Sequence, residues 1–235
     1  MSVPYFYEPL IATGMTQFTL SETSSKHCVQ VLRMDVGEQI DITNGLGGLF
    51  HATIQVAHKK NALVTITKSV QTDSPKQKLK LGISLLKNAV RLEWLFEKAT
   101  EIGVTNITPL ICERTIHERF KTERMQQIIQ SAMIQSQQTW LPVLTEPIPF
   151  KEFIAKHTAT QKLIAHCEPL PKTSIQSIEP SDDLLLLIGP EGDFSSKEIK
   201  TAQEHLFAPV SLGNTRLRTE TAAIVACHSI VFSNE

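Results

Sequence analysis

Residues 184–194 read LLLLIGPEGDF. Five aliphatic residues run into two glycines that bracket a proline and a glutamate, with an aspartate following. A short, unbroken aliphatic run closed by Gly and Pro is the pattern of a strand buried on both faces, as in a parallel sheet covered by helices. The acidic, glycine-bracketed segment then lies at that strand's carboxyl end, where ligands gather in open α/β sheets.

Outward from this strand, the chain alternates. KLKLGISLL (78–86), VTNITPLIC (104–112), QKLIAHC (161–167) and APVSLG (208–213) read as further strands. Between them, NAVRLEWLFEKATEIG (88–103) places Leu92, Leu95, Phe96, Ala99 and Ile102 at helical spacing, and Gly103 ends the helix. TERMQQIIQSAMIQSQQ (122–138), SSKEIKTAQEHLF (195–207) and TETAAIVACHSIVF (219–232) read as helices. Ser195, followed three residues later by Glu198, predicts a capping box. An α/β class with a mostly parallel sheet follows. The first 70 residues differ: GEQIDITN (37–44), LFHATIQVAHK (49–59) and ALVTITKSV (62–70) alternate apolar and polar residues. Turn signals at 44–48 and 60–61 separate them, predicting antiparallel hairpins of a small barrel. The polar segment QTDSPKQK (71–78) reads as a linker, dividing a β domain at 1–72 from an α/β domain at 73–235.

Apolar residues make up 41% and charged residues 20%, a soluble globular balance. The longest aliphatic run, Leu184 to Ile188, is far too short to span a bilayer. The start, MSVPYFYEPL, lacks a basic segment followed by an apolar one, so no secretory leader, no membrane partner and a cytoplasmic location are expected. Cys28, Cys112, Cys167 and Cys227 are scattered without a CxxC, which predicts reduced core thiols and no metal site. The net charge of −1 is unevenly spread: residues 75–126 carry 10 Lys/Arg against 6 Asp/Glu, and residues 127–235 carry 8 against 12. The basic block fits either nucleic-acid phosphates or a solvated helical surface, and charge leaves both open.

Two loops carry the chemistry: IGPEGDFSS (188–196) and SLGNTRLRTET (211–221). Gly189 and Gly192 admit conformations and approaches that a Cβ forbids, or serve only a tight turn. A nucleotide-phosphate site is opposed by the residues. There is no GxxxxGK[ST] and no GxGxxG between strand and helix, and Glu191 and Asp193 repel a pyrophosphate. An acidic loop with exposed backbone suits a neutral or cationic ligand such as S-adenosylmethionine, whose sulfonium is positive and whose adenine backbone groups can read.

LLLLIGPEGDFSSKEI together with VSLGNTRLRTETAAIVA closely resembles the RsmE family of SPOUT methyltransferases, which use S-adenosylmethionine to methylate uracil N3 in 16S rRNA. HCVQVLRMDVGEQIDITNG, RLEWLFEKATEIGVTNITPLICERT and SAMIQS extend the likeness in order over nearly the whole chain. The resemblance implies a PUA-like β-barrel followed by an α/β domain with a C-terminal trefoil knot. It also implies a homodimer, with the small ribosomal subunit and its 16S rRNA as partner. The chain departs from the family pattern at Asp193, where Gly is usual, and at Thr215 and Gln138, where Arg is usual.

Methyl transfer to uracil N3 needs a base near N3 or a cation that stabilises the uracil anion. The resemblance makes Arg218 the candidate cation, with Glu191 and Glu220 as candidate base or orienting groups. Glu220 is equally placed to complement a helix dipole. Candidate cofactor contacts are His166, Gly189, Glu191, Gly192, Leu212, Gly213, Leu217, Arg218, Thr219, Thr221 and Ala222, with Glu168 at the border. His166 also fits a core position, and Thr219 and Thr221 also fit helix caps. Candidate RNA contacts are Arg33, Lys76, Lys78, Arg91 and Arg216, with Lys80 and Lys98 able to continue the patch. Beside the rRNA methyltransferase stand a non-catalytic RNA-binding or ribosome-assembly protein and a SPOUT enzyme acting at another RNA position.

Overall fold

The computed structural model describes residues 3–234. It divides into two compact units, one running to Ser74 and taking in Met133–Leu141, the other comprising Pro75–Ala132 and the chain from Pro142 onward.

The first unit is a five-stranded sheet in the order β1-β3-β4-β5-β2. Its strands are β1 (Tyr5–Tyr7), β2 (Gln17–Thr19), β3 (Gln39–Thr43), β4 (Gly48–Val56) and β5 (Leu63–Gln71). The alternation in β4 buries Phe50, Ala52 and Ile54 against Phe6, Ile40, Ile42 and Val64. The predicted hairpins are present as antiparallel β3–β4 and β4–β5 pairs, but β1 joins β3 in parallel. A short helix, α1 (Glu22–Lys26), precedes one π turn. The Met133–Leu141 segment is fastened to the 44–48 turn by main-chain bonds: Gly47 N donates to Thr139 O at 2.8 Å and Leu141 N to Gly45 O at 2.9 Å. The sequence-based division leaves this segment in the second domain.

The second unit is an eight-stranded sheet whose pairings are all parallel, in the order β11-β13-β10-β12-β6-β7-β8, with β9 also on β7. Its strands are β6 (Lys78–Ser84), β7 (Asn106–Ile111), β8 (Val143–Leu144), β9 (Ile148–Pro149), β10 (Gln161–Ala165), β11 (Thr173–Ser174), β12 (Asp183–Ile188) and β13 (Ala208–Ser211). Its helices are α2 (Ala89–Ile102), α3 (Thr122–Gln135), α4 (Phe150–Lys156), α5 (Ser196–Glu204) and α6 (Thr219–Val231). The aliphatic strands are central: Leu184 through Ile188 of β12 are all buried. α2 starts at Asn88, whose side chain accepts from Val90 N and Arg91 N, and ends on Gly103 at φ 104°. It packs against α6. Among the described residues no helix is long and apolar enough to cross a membrane.

Candidate active site

β13, β10 and β12 end in register, because Ala165 of β10 pairs with Ile188 of β12 on one side and Val210 of β13 on the other. The loops leaving them therefore start abreast at one edge of the sheet. They enclose a cavity of about 950 Å³, which the first residues of α6, Arg91 and Arg114 complete.

The 189–195 loop is held by its own polar groups. Glu191 Oε1 accepts from Lys87 N at 2.9 Å, joining the loop to the turn after β6. Asp193 Oδ2 accepts from Cys167 N at 2.7 Å and Oδ1 from Phe194 N at 2.8 Å. Arg114 Nη1 donates to Gly192 O at 2.8 Å. The predicted capping box is present: Ser195 Oγ accepts from Glu198 N, and Glu198 Oε2 from Ser195 N. Glu198 Oε1 also accepts from Glu113 N. The acids thus bond to amides of the fold. Of the two glycine readings, neither glycine has a left-handed backbone, while the close approach is present at Gly189. A Cβ on Gly189 would stand 2.9 Å from Phe194 N, so it is a packing glycine, whereas a Cβ on Gly192 would make ordinary contacts with Arg114. The left-handed residue is Asp193, at φ 65°.

The 212–218 loop is held differently. Apart from the bond that opens α6, in which Ala222 N donates to Arg218 O at 2.7 Å, the hydrogen bonds found for it among the described residues are weak ones between Ser211 and Gly213 at 3.4 Å. Gly213 lines the cavity with φ 120° and has open space where a Cβ would stand. Arg216 and Arg218 are exposed, and no side-chain partner is recorded for either among the described residues. Arg218 is the N-cap of α6 and no side chain caps that helix. Thr219 and Thr221 therefore do not cap it. Thr219 is buried in the cavity wall, and Thr221 is exposed on α6 outside the lining.

Leu212, Leu217, Ala222, His166 and Glu168 also line the cavity. His166 is buried, and neither ring nitrogen has a partner. Burial first, then the nearby Lys172 charge, holds its pKa below the ordinary imidazole value, against the opposing pull of Asp193 and Glu168. Lys172 Nζ donates to the carbonyls of His166 and Glu168, fixing the loop that carries the ring. Glu220 is buried, with Oε1 3.5 Å from Arg91 Nε and Oε2 without a partner. Arg91 is thus a wall residue of the cavity.

The other RNA candidates lie elsewhere. Arg33 is exposed in the first unit at φ 58°. Lys76 precedes β6, Lys78 begins it, and Lys80 is paired with Asp183 at 2.6 Å. They sit at the amino edge of the sheet, roughly 20 Å from its carboxyl edge at about 3.3 Å per residue along β6. Lys98 is paired with Glu97 and Glu101 on its own helix, the solvated-face arrangement. Cys28, Cys112 and Cys227 are buried, but Cys167 is exposed at the cavity. No group of three or more potential metal ligands occurs among the described residues.

A family model described as an RNA methyltransferase domain matches residues 72–231, and one described as an RNA methyltransferase PUA domain matches residues 20–67. The ribosomal RNA small subunit methyltransferase E of Synechocystis is 31% identical over 90% of this chain and 72% of its own. The chain belongs to the RsmE family of SPOUT methyltransferases. The crystal structure of the Neisseria gonorrhoeae ribosomal RNA small subunit methyltransferase E bound to S-adenosyl methionine matches with a TM-score of 0.89 at 30% identity, over 99% of this chain and 98% of that one. That of a probable rRNA-methyltransferase from Porphyromonas gingivalis gives 0.91 at 35% identity, over 99% and 100%.

The departure from the RsmE pattern at Asp193 now has a physical reason. The usual glycine suits the left-handed backbone, and an aspartate tolerates it while capping two amides. Arg114, at the ER pair of the RsmE pattern, is the main site residue that sequence reasoning missed. Its place just beyond the carboxyl end of β7 was the available signal.

Proposed function

We propose that this protein methylates N3 of a specific uridine in the 16S rRNA of the small ribosomal subunit, with S-adenosylmethionine as donor. The observation that carries the reading is the contrast inside one cavity: its lining includes unpartnered polar atoms of His166 and Glu220 together with Arg216 and Arg218, which have no side-chain partner among the described residues. Buried polar groups normally have partners, so this wall fits a large polar ligand. Gly213, Leu212 and Leu217 would hold the adenosine by backbone and apolar contact, with Gly189, Gly192, Thr219 and Ala222 around it. His166 and Glu220 supply polar partners, and Glu191 orients the loop through Lys87 N. S-adenosylmethionine bound there supplies an electrophilic methyl group.

Arg218 stands at the uncapped amino end of α6, where its guanidinium and the helix dipole both favour negative charge. It would stabilise the uracil anion as the N3 proton leaves, with Glu220 or Glu191 as the acceptor. The SPOUT family supports two structural expectations, a trefoil knot in the second unit and a homodimer formed through it. Light scattering on the full chain should give twice the chain mass, and a monomer that methylates rRNA would contradict the dimer. The deciding experiment maps uridine N3 methylation in 16S rRNA from cells with and without the protein. One methylated uridine should vanish on deletion and return on complementation. An unchanged map with a different lost modification would move the reaction to another RNA position.

A further inference from the structure

The segment ERTIHERFKTER (113–124) joins β7 to α3 at the same sheet edge as the cavity. Its ends are pinned. Thr115 Oγ1 bonds Cys112 N at 2.9 Å and lies 3.0 Å from Ser84 Oγ, and Phe120 packs on Phe96 with ring centroids 6.1 Å apart. Arg114 grips the 189–195 loop. Glu113 is exposed and tied to the 189–195 loop, its Oε2 accepting from Ser195 Oγ. Between the pins Ile116, His117, Glu118 and Arg119 are exposed, followed by exposed Lys121. His117, Arg119 and Lys121 have no recorded side-chain partner among the described residues, unlike Arg124, which pairs with Glu93 at 3.0 Å.

Exposed cations without an acid partner are ordinary on a solvated face; what sets Arg119 and Lys121 apart is their place on the segment that leaves the cavity's sheet edge, whose Arg114 lines the cavity. Here Glu118 is the one exposed acid between the pins, and Arg119 and Lys121 stand near an exposed apolar tip in Ile116. Cations that take phosphates, next to apolar and imidazole groups that take unstacked bases, suit single-stranded or loop RNA better than duplex. We infer that the β7–α3 loop is an RNA-gripping element, with Arg119 and Lys121 on the phosphate backbone and Ile116 and His117 against bases of the strand that enters the cavity. This rests on the methyltransferase reading for the identity of the RNA, but not for the contact itself. It reassigns the chain's basic block: the half at the carboxyl edge meets RNA, and the half around Lys76, Lys78 and Lys80 does not.

The test measures binding of the full-length protein to poly(U) across a salt series. Each single-strand phosphate contact contributes about 0.7 to the slope of log affinity against log salt, so R119Q/K121Q should lower the slope by roughly 1.4. K76Q/K78Q should leave it unchanged, and the charge-preserving R119K/K121R should restore most of it. S-adenosylmethionine affinity, measured by calorimetry on the same preparations, should not move. An unchanged slope in R119Q/K121Q, or an equal fall in K76Q/K78Q, would overturn the assignment even if the wild type methylates rRNA. Unchanged RNA binding with lost binding to RNA-free ribosomal protein would overturn it in favour of a protein partner. Conversely, a wild type that fails to methylate uridine N3 but shows the predicted slope change would sink the functional reading and keep the grip.

Discussion

The two glycine-bearing loops at the carboxyl edge look alike in sequence and are opposites in structure. In the 189–195 loop, nearly every polar group is satisfied within the protein: Glu191 on Lys87 N, Asp193 on two amides, Gly192 O on Arg114 and Ser195 in its capping box. In the 212–218 loop, Gly213 is held at φ 120° with open space beside it, and both arginines lack recorded partners among the described residues. One loop is a frame and the other is a working surface. Acidity in the first therefore gives little information about ligand charge, because its carboxylates bond to backbone amides.

If that division holds, Arg218 should produce the largest effect and should spare stability. Losing an electrostatic stabiliser of the transition state typically costs roughly 2.7–4 kcal/mol, about a hundred- to thousand-fold in rate. Arg218→Ala should show this in single-turnover methylation. Arg218→Lys should recover only part, because an ammonium lacks the planar fork that reaches two acceptors. S-adenosylmethionine affinity should change far less. Equal losses in affinity and rate would place Arg218 among the cofactor contacts, and near-wild-type methylation would remove it from the chemistry.

Glycine substitutions sharpen the comparison next. Gly213→Val forces a branched residue into a left-handed backbone, a strain of order 1–3 kcal/mol that falls on the working surface. Cofactor affinity should drop by about one to two orders of magnitude, the branched side chain also occupying the approach to the adenosine. Gly192→Ala should cost little, since its Cβ meets only ordinary contacts at 3.5 Å from Arg114. Calorimetry on the two variants decides, and a Gly192→Ala loss as large as that of Gly213→Val would erase the distinction between the loops.

Asp193 tests the frame. Asp193→Ala keeps a Cβ in the left-handed region and strands the amides of Cys167 and Phe194, at a cost of about 1–3 kcal/mol. For a chain of this size each kcal/mol lowers Tm by roughly 2–4 °C. Asp193→Gly relieves the backbone while losing the same bonds, so its Tm should fall between Asp193→Ala and the wild type. An alanine variant as stable as the wild type would mean the loop is not held through this side chain.

Much of this arrangement was legible in the sequence because burial imposes periodicity. The Leu184–Ile188 run, the 88–103 helix with its Asn88 and Gly103 ends, and the Ser195/Glu198 box each state their local structure. Strands β8, β9 and β11 were not legible, because two residues display no period. Nor was the capture of Met133–Leu141 by the first unit, which rests on main-chain bonds to the 44–48 turn and on long-range bonds from Tyr5, Thr43, Thr72 and Trp140 that no local pattern reports. In the site, Gly213 and Arg218 stood out through the motif that carries them. The role of Asp193 did not, because it depends on a backbone angle and on an amide 26 residues away. Charge left the question open for a related reason: a block that is basic along the chain is split by the fold between two edges of one sheet.

The smallest expected effect lies where the two loops meet the wall, at His166. Its ring is buried without a partner, so the protonated form is disfavoured in the folded protein and its pKa is held below the ordinary value. In the unfolded chain an imidazole takes up a proton near pH 6.5. Between the lower folded value and that point, the unfolded state holds more protons, so stability rises with pH across this window. The contribution is fully present above about pH 6.5 and is lost as pH falls below it. His166→Gln, polar but non-titrating, should therefore show a smaller drop in Tm from neutral to mildly acidic pH than the wild type. His157, whose pKa is lowered in the same direction by burial and by Lys80 and Lys156, is present in both proteins and cancels in the comparison. A saturating cofactor that contacts the neutral ring should deepen the wild-type pH dependence and leave the variant's unchanged. Identical pH profiles with and without the substitution would show that the ring is solvated in the native state, and that His166 does not present an unpaired polar group to the cofactor.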